Sequence, residues 1–187
     1  MKASRFGKFS ARPAIANIAK TTFLELAQGG YISRAENLIL VGNPGLGKTH
    51  LAIGLALAAC RQKKRVRFYK TSALINDLQV AQKNLTLSAF VSRFAKLDLL
   101  VLDELGFITV DKVGGQLLFQ LVSDLYEKVS MIITSNLHFG DWNSIFADAT
   151  LTTAFLDRLT HKGRIIEFVG ESYRYRHRLQ QGEAEGA

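Results

Sequence analysis

Along the chain, short continuous apolar runs alternate with longer stretches in which apolar residues recur every three or four positions. Runs at 37–41, 66–69, 99–102, 131–134 and 165–168 predict five strands, the first of them buried. Helical periodicity predicts helices over 49–62, 87–94, 113–128 and 149–159. A further helix follows the second strand, with Leu74, Ile75, Leu78 and Ala81 on one face and Thr71 or Ser72 as its cap. Upstream, Ile15, Ile18, Phe23 and Leu26 suggest a helix that Gly29-Gly30 would end. Apolar strands separated by helices imply a mostly parallel five-stranded sheet covered on both faces, a three-layer α/β fold. No proline-rich linker or internal repeat divides the chain. The expected organisation is a basic segment with a helix at 1–34, a core at 35–176 and a polar, disordered tail at 177–187.

Composition narrows the class. With 187 residues, 48% of them hydrophobic and 21% charged, the chain suits one domain and is too apolar to be disordered. The longest uncharged, mostly apolar run, 51–60, is about half the ~20 residues needed to cross a bilayer. Residues 1–14 hold no continuous apolar core, so no secretory signal is visible. The lone Cys60 makes no internal disulfide, and a reducing cytoplasm is the expected setting. The net charge is +8, and the excess is clustered. Lys2, Arg5, Lys8, Arg12 and Lys20 have no acid among them, nor do Arg61, Lys63, Lys64, Arg65, Arg67 and Lys70. Such clusters suit a polyanion, although a solvated basic face has the same composition.

The sharpest chemistry follows the first strand. Gly42-Asn43-Pro44-Gly45-Leu46-Gly47-Lys48-Thr49 fits G-x-x-x-x-G-K-[ST], and a helix begins at once with His50 in its first turn. Glycines let backbone N–H groups approach phosphate oxygens, and the positive end of the helix adds to the attraction. Lys48 would reach the β- and γ-phosphates of a nucleotide, with Thr49 completing a Mg2+ shell. The third strand delivers Asp103 and Glu104 at its C-terminal end. Asp103 suits a role holding the water ligands of Mg2+, and Glu104 suits a general base toward an attacking water. The fourth strand ends in Thr134-Ser135-Asn136, where Asn136 would orient that water or touch the γ-phosphate. Trp142, Phe139, Ile145 and Phe146 suggest a hydrophobic patch under the sheet edge. His50, His138, His161 and His177 show no metal-ligand spacing.

Taken together, Gly42 to His50, Asp98 to Gly106, Leu117 to Val122, Ile132 to Asn136 and Gly170 to Arg174 resemble the IstB branch of the IstB/DnaC-like AAA+ ATPases. These are transposition helpers and helicase loaders. The resemblance implies ATP and Mg2+ as cofactors, Asn136 as a sensor residue, and Arg158 as an arginine finger for a neighbouring subunit. Arg174 is similar in position to a second sensor arginine, or is a DNA phosphate contact or a surface charge. Family members bind DNA along a spiral of ATP-bound subunits. By that resemblance Lys70, Lys83, Arg93 and Lys96 are candidate contacts to the backbone of duplex DNA. The family also implies an N-terminal helical domain, for which about 36 residues ahead of the first strand are short. Only 19 residues follow Phe168, which implies a minimal or absent C-terminal lid. The expected activity is DNA- and oligomer-dependent ATP hydrolysis that assists a transposase in target selection. A helicase loader with a helicase partner is the near alternative and a small-molecule P-loop kinase the distant one. No membrane role is expected.

Overall fold

The structure, a computed structural model, describes residues 20–107, 110–146 and 148–170. The basic residues ahead of Lys20, Ile15 and Ile18, Arg174, the segment bearing on a lid and the polar tail lie outside these residues. The described elements run α1 (Lys20–Ala27), α2 (Gly30–Ser33), β1 (Asn37–Gly42), α3 (Lys48–Arg61), β2 (Val66–Lys70), α4 (Thr71–Lys83), α5 (Leu87–Ser92), β3 (Leu99–Leu105), α6 (Lys112–Leu125), β4 (Ser130–Ser135), α7 (Ala149–His161) and β5 (Gly163–Phe168). Short 3-10 turns at Phe94–Lys96 and Phe139–Ser144 complete the path.

All five strands are parallel, in the order β2-β3-β4-β1-β5. Strand side chains alternate between faces. Leu38 and Leu40 of β1, Leu99 and Val101 of β3, and Ile132 of β4 meet Leu51, Ala52 and Leu55 of α3, with Leu26 and Tyr31 beyond. Ile39, Val41, Leu100, Leu102, Met131 and Ile133 face the other way. They meet Leu74 and Leu78 of α4, Leu118, Leu121 and Leu125 of α6, and Phe155 and Leu159 of α7. The central strands β1, β3 and β4 are thus buried between two helical layers, while the edge strands β2 and β5 leave Phe68 and Ile165 exposed. Trp142, Ile145 and Phe146 belong to the second core.

Two local expectations are corrected. Neither Thr71 nor Ser72 caps α4: Lys70 holds the cap position, and the Thr71 hydroxyl donates to the Asp103 carbonyl at 2.9 Å. The helix expected over 87–94 ends at Ser92, and the 3-10 turn after it seats Phe94 against Tyr69 and Phe90, with ring centroids 5.8 and 5.4 Å away. Gly29 ends α1, which stops at Ala27, as the glycine pair implies. In a left-handed conformation it turns the chain straight into α2. Helices α6 and α7 are capped by Asp111 and Asp148, which accept from the N–H groups of Gly114 and Leu151 at 3.0 Å.

Candidate functional site

In a parallel sheet, the loops after the strands share one edge, and ligands bind there. Gly42 opens the phosphate-type loop at φ 137°, and a Cβ on it would lie 2.3 Å from the Phe168 carbonyl oxygen. Only glycine lets β1 and β5 close here while the chain turns away. Leu46 is buried in the core under α3, so its side chain anchors the loop. Asn43 and Pro44 are exposed at the rim, and His50 is exposed as the third residue of α3. Gly47, at φ 95°, precedes α3 and leaves the first N–H groups of the helix at the loop. Lys48 is buried, and its Nζ donates to the carbonyls of Gly42 at 2.6 Å and Asn43 at 2.8 Å. The ammonium therefore lies across the loop mouth.

The acids stand one strand away, on β3. Leu102 pairs with Ile133 and Leu105 with Ser135, so three steps along β3 match two along β4. This is a β-bulge, with Asp103 and Glu104 together opposite the single Thr134. Glu104 carries the strain at φ 62°, in the left-handed region disfavoured for a residue with a side chain. Without the bulge, the alternation that buries Leu100 and Leu102 would carry Glu104 to the same helical layer. With it, Leu105 takes that place, and Glu104 is left half-exposed at the edge.

Asp103 is 3% exposed and held from several sides. Its Oδ1 accepts from the hydroxyls of Thr49 at 2.8 Å and Thr134 at 2.6 Å. The Thr134 oxygen also accepts from the Glu104 N–H at 3.0 Å. Ser135 donates to the Leu105 carbonyl at 2.8 Å and accepts from the Leu137 N–H at 3.1 Å, which ties the end of β4 to the end of β3. Asn136 follows directly, half-buried on the same edge. Glu104 meets Lys70 at the end of β2, with Nζ 3.1 Å from Oε2.

The Thr49 hydroxyl and the Asp103 carboxylate form an all-oxygen pair, the donor type of a hard divalent cation. Among the described residues, no group of three or more His, Cys, Asp or Glu side chains is placed to hold a metal ion. The pair therefore fits Mg2+ shared with nucleotide phosphates better than a cation caged by protein alone.

Arg158 and, Lys70 excepted, the residues named for DNA stand elsewhere. Arg158 lies on α7, in the helical layer opposite α3. Its guanidinium sits 4.6 Å from the Phe119 ring centroid, and its Nη1 donates to the Ala154 carbonyl at 3.1 Å. The four lysines and arginines named for DNA do not form one group. Lys70 lies at the loop edge beside Glu104. Lys83 ends α4, which runs back along the sheet, and Arg93 and Lys96 flank the entry to β3. There Arg93 shares a groove with Arg67, Tyr69 and Phe90. The 61–67 turn is joined to the same end, because Asp98 accepts from the Arg65 N–H and guanidinium and its own N–H donates to the Arg65 carbonyl at 2.9 Å. Lys83, Arg93 and Lys96 thus lie with the basic turn at the edge away from the phosphate-type loop. Sequence reasoning passed over Thr71 and Thr134. The signal was two hydroxyls at the loop edge, Thr71 directly after β2 and Thr134 near the end of β4.

Comparison with known proteins finds a matching family and a shared fold. A family model described as IstB-like ATP binding protein matches residues 13–181. An insertion-sequence ATP-binding protein of Sinorhizobium fredii is 39% identical over 168 residues, covering 89% of this chain and 56% of that protein. An insertion sequence IS21 ATP-binding protein of Pseudomonas aeruginosa is 40% identical over 158 residues, covering 84% of this chain and 60% of that one. The chain therefore spans little more than half the length of these relatives. Among solved structures, the DnaC helicase loader superposes with a TM-score of 0.65 at 22% identity over 80% of this chain and 87% of that one. DnaI does so with 0.68 at 17% identity over 84% and 86%. At that identity the likeness is one of fold.

Proposed function

The chain belongs to the family of IstB-like ATP-binding proteins, and from that premise we propose that it hydrolyses ATP with Mg2+ and assembles on DNA to assist a transposase. The observation that carries the reading is the bulge on β3, which sets Asp103 against Thr49 and leaves Glu104 open at the loop edge. Loop N–H groups and Lys48 would bind the phosphates, and Thr49 and Asp103 would hold Mg2+ and its water. Bound Mg2+ neutralises charge developing on the phosphoryl oxygens. Glu104 would take the proton of the attacking water as its oxygen bonds to the γ-phosphorus and the bond to ADP breaks, with Asn136 orienting that water.

Arg158 belongs to the opposite helical layer of its own subunit. A role at the γ-phosphate therefore calls for a second copy, and this favours an ATP-dependent homo-oligomer. DNA would lie along the edge of Lys83, Arg93, Lys96 and the 61–67 turn, held through phosphates. The names of the relatives tie them to insertion sequences, which supports a transposase as partner.

ATP turnover by the purified chain, with and without duplex DNA, tests this reading. Glu104→Gln is expected to bind ATP and lose turnover by about 10²–10⁴-fold. Lys48→Ala is expected to lose binding itself. DNA affinity should fall steeply with salt, and Lys83→Ala, Arg93→Ala and Lys96→Ala should each lower the slope by about one. Turnover that survives Glu104→Gln would sink the hydrolysis mechanism, and salt-independent DNA affinity would sink the DNA assignment.

A further inference from the structure

We propose that Thr134 is a positioning residue that sets both acids of the site through one buried hydroxyl. The inference rests on the reading of Asp103 as the Mg2+-side carboxylate and Glu104 as the base, and it adds a residue to which neither the motifs nor the family resemblance assigned a role.

The bulge creates the need. Where three steps of β3 oppose two of β4, the ladder between the strands is interrupted at Asp103 and Glu104. The Glu104 N–H, turned by the positive φ of its residue, finds the Thr134 side chain at 3.0 Å. The same oxygen donates its proton to Asp103 Oδ1 at 2.6 Å. Direction is settled by the partners, since a backbone N–H only donates and an ionised carboxylate only accepts. One hydroxyl thus uses both capacities. It holds the strained backbone of the base and the orientation of the carboxylate at once. Thr134 is 2% exposed, so bulk water does not compete for these bonds. Thr49 donates to the same Oδ1 at 2.8 Å. If Thr49 turns toward a cation, Thr134 keeps Oδ1 hydrogen-bonded and the carboxylate in place. Groups that orient a metal-side carboxylate typically change affinity or activity by about 10–100-fold when removed.

Thr134→Val keeps the volume and deletes the hydroxyl, and Thr134→Ser keeps the hydroxyl and deletes the methyl. The readout besides turnover is equilibrium binding of a fluorescent ATP analogue across a Mg2+ titration. Thr134→Val is expected to raise the half-saturating Mg2+ at least about fivefold and to cut turnover about tenfold or more. It should leave binding without Mg2+ unchanged, and Thr134→Ser should stay within about twofold of the parent chain. Parent-like Mg2+ dependence in Thr134→Val overturns the proposal, as does a serine variant as impaired as the valine one, which would show that the methyl matters. If Thr134→Val does not fold, amide exchange in the parent chain decides. The Glu104 N–H is expected to be protected, and rapid exchange there overturns the proposal. A parent chain whose ATP binding ignores Mg2+ would instead sink the reading on which the proposal stands.

Discussion

Lys70 and Glu104 form an ion pair across adjacent strands, with Nζ and Oε2 3.1 Å apart. The sequence had placed one on DNA and the other at the γ-phosphate. The pairing follows from register, since Lys70 lies beside Asp103 and the bulge turns the next residue back toward it. Both side chains are substantially exposed, so the pair adds little to stability. It does hold the base against a competing cation. Lys70→Ala is expected to raise DNA-free turnover by about 1.4- to 5-fold, the kinetic equivalent of the ~0.2–1 kcal/mol typical of such pairs. The loss of DNA affinity should be smaller than for Lys83→Ala, Arg93→Ala or Lys96→Ala. Steady-state turnover and a DNA titration on the same preparations check both points.

Arg158 is expected to act between copies. A mixture of Arg158→Ala, which keeps its loop, with Lys48→Ala, which keeps its arginine, should recover turnover that neither shows alone. Mixed interfaces would contain one intact loop and one intact guanidinium. Failure to recover activity, with both variants folded and mixing demonstrated by cross-linking, would remove Arg158 from the reaction.

Gly42→Ala should weaken the fold as well as the site. The residue sits at φ 137°, and the added Cβ would lie 2.3 Å from the Phe168 carbonyl oxygen. Backbone strain of this kind costs roughly 1–3 kcal/mol before the clash with β5 is counted. Each kcal/mol lowers Tm by about 2–4 °C in a chain of this size. Calorimetry is the check, and an unchanged Tm would contradict the described closure of β1 on β5.

Asp98 ties the start of β3 to the turn before β2. Hydrogen bonds from the Arg65 side chain and backbone hold its carboxyl below the usual carboxylate range. With the folded value depressed, the stabilisation is present above the unfolded value and is lost as pH falls through the folded one. Asp98→Asn is therefore expected to be less stable than the parent near neutrality and to converge with it in acid. Denaturation midpoints measured from neutral pH down to pH ~2 would show a gap that closes. A constant gap would assign the effect to packing.

What was legible in the sequence is what neighbouring residues decide together. The apolar runs marked β1, β3 and β4 because a strand covered on both faces has few polar positions to spare, whereas the edge strands β2 and β5 keep exposed and charged positions and were marked by shorter apolar stretches. The phosphate-type loop was legible because its residues are contiguous and its strand and helix abut it. Asp103 and Glu104 were legible as acids at a strand end. Their arrangement was not: the run Leu99-Leu100-Val101-Leu102 reads alike whether or not an extra residue follows. The bulge exists only relative to β4, thirty residues on. Thr134, Lys70 and Thr71 became partners of that acid pair through sheet order and register, which no local pattern encodes. The layer that holds Arg158 was likewise set by the side of the sheet on which α7 packs. The sequence by itself determined the elements and the chemistry each carries. The tertiary structure decided which hydroxyl holds which acid, because strand pairing acts at a distance along the chain.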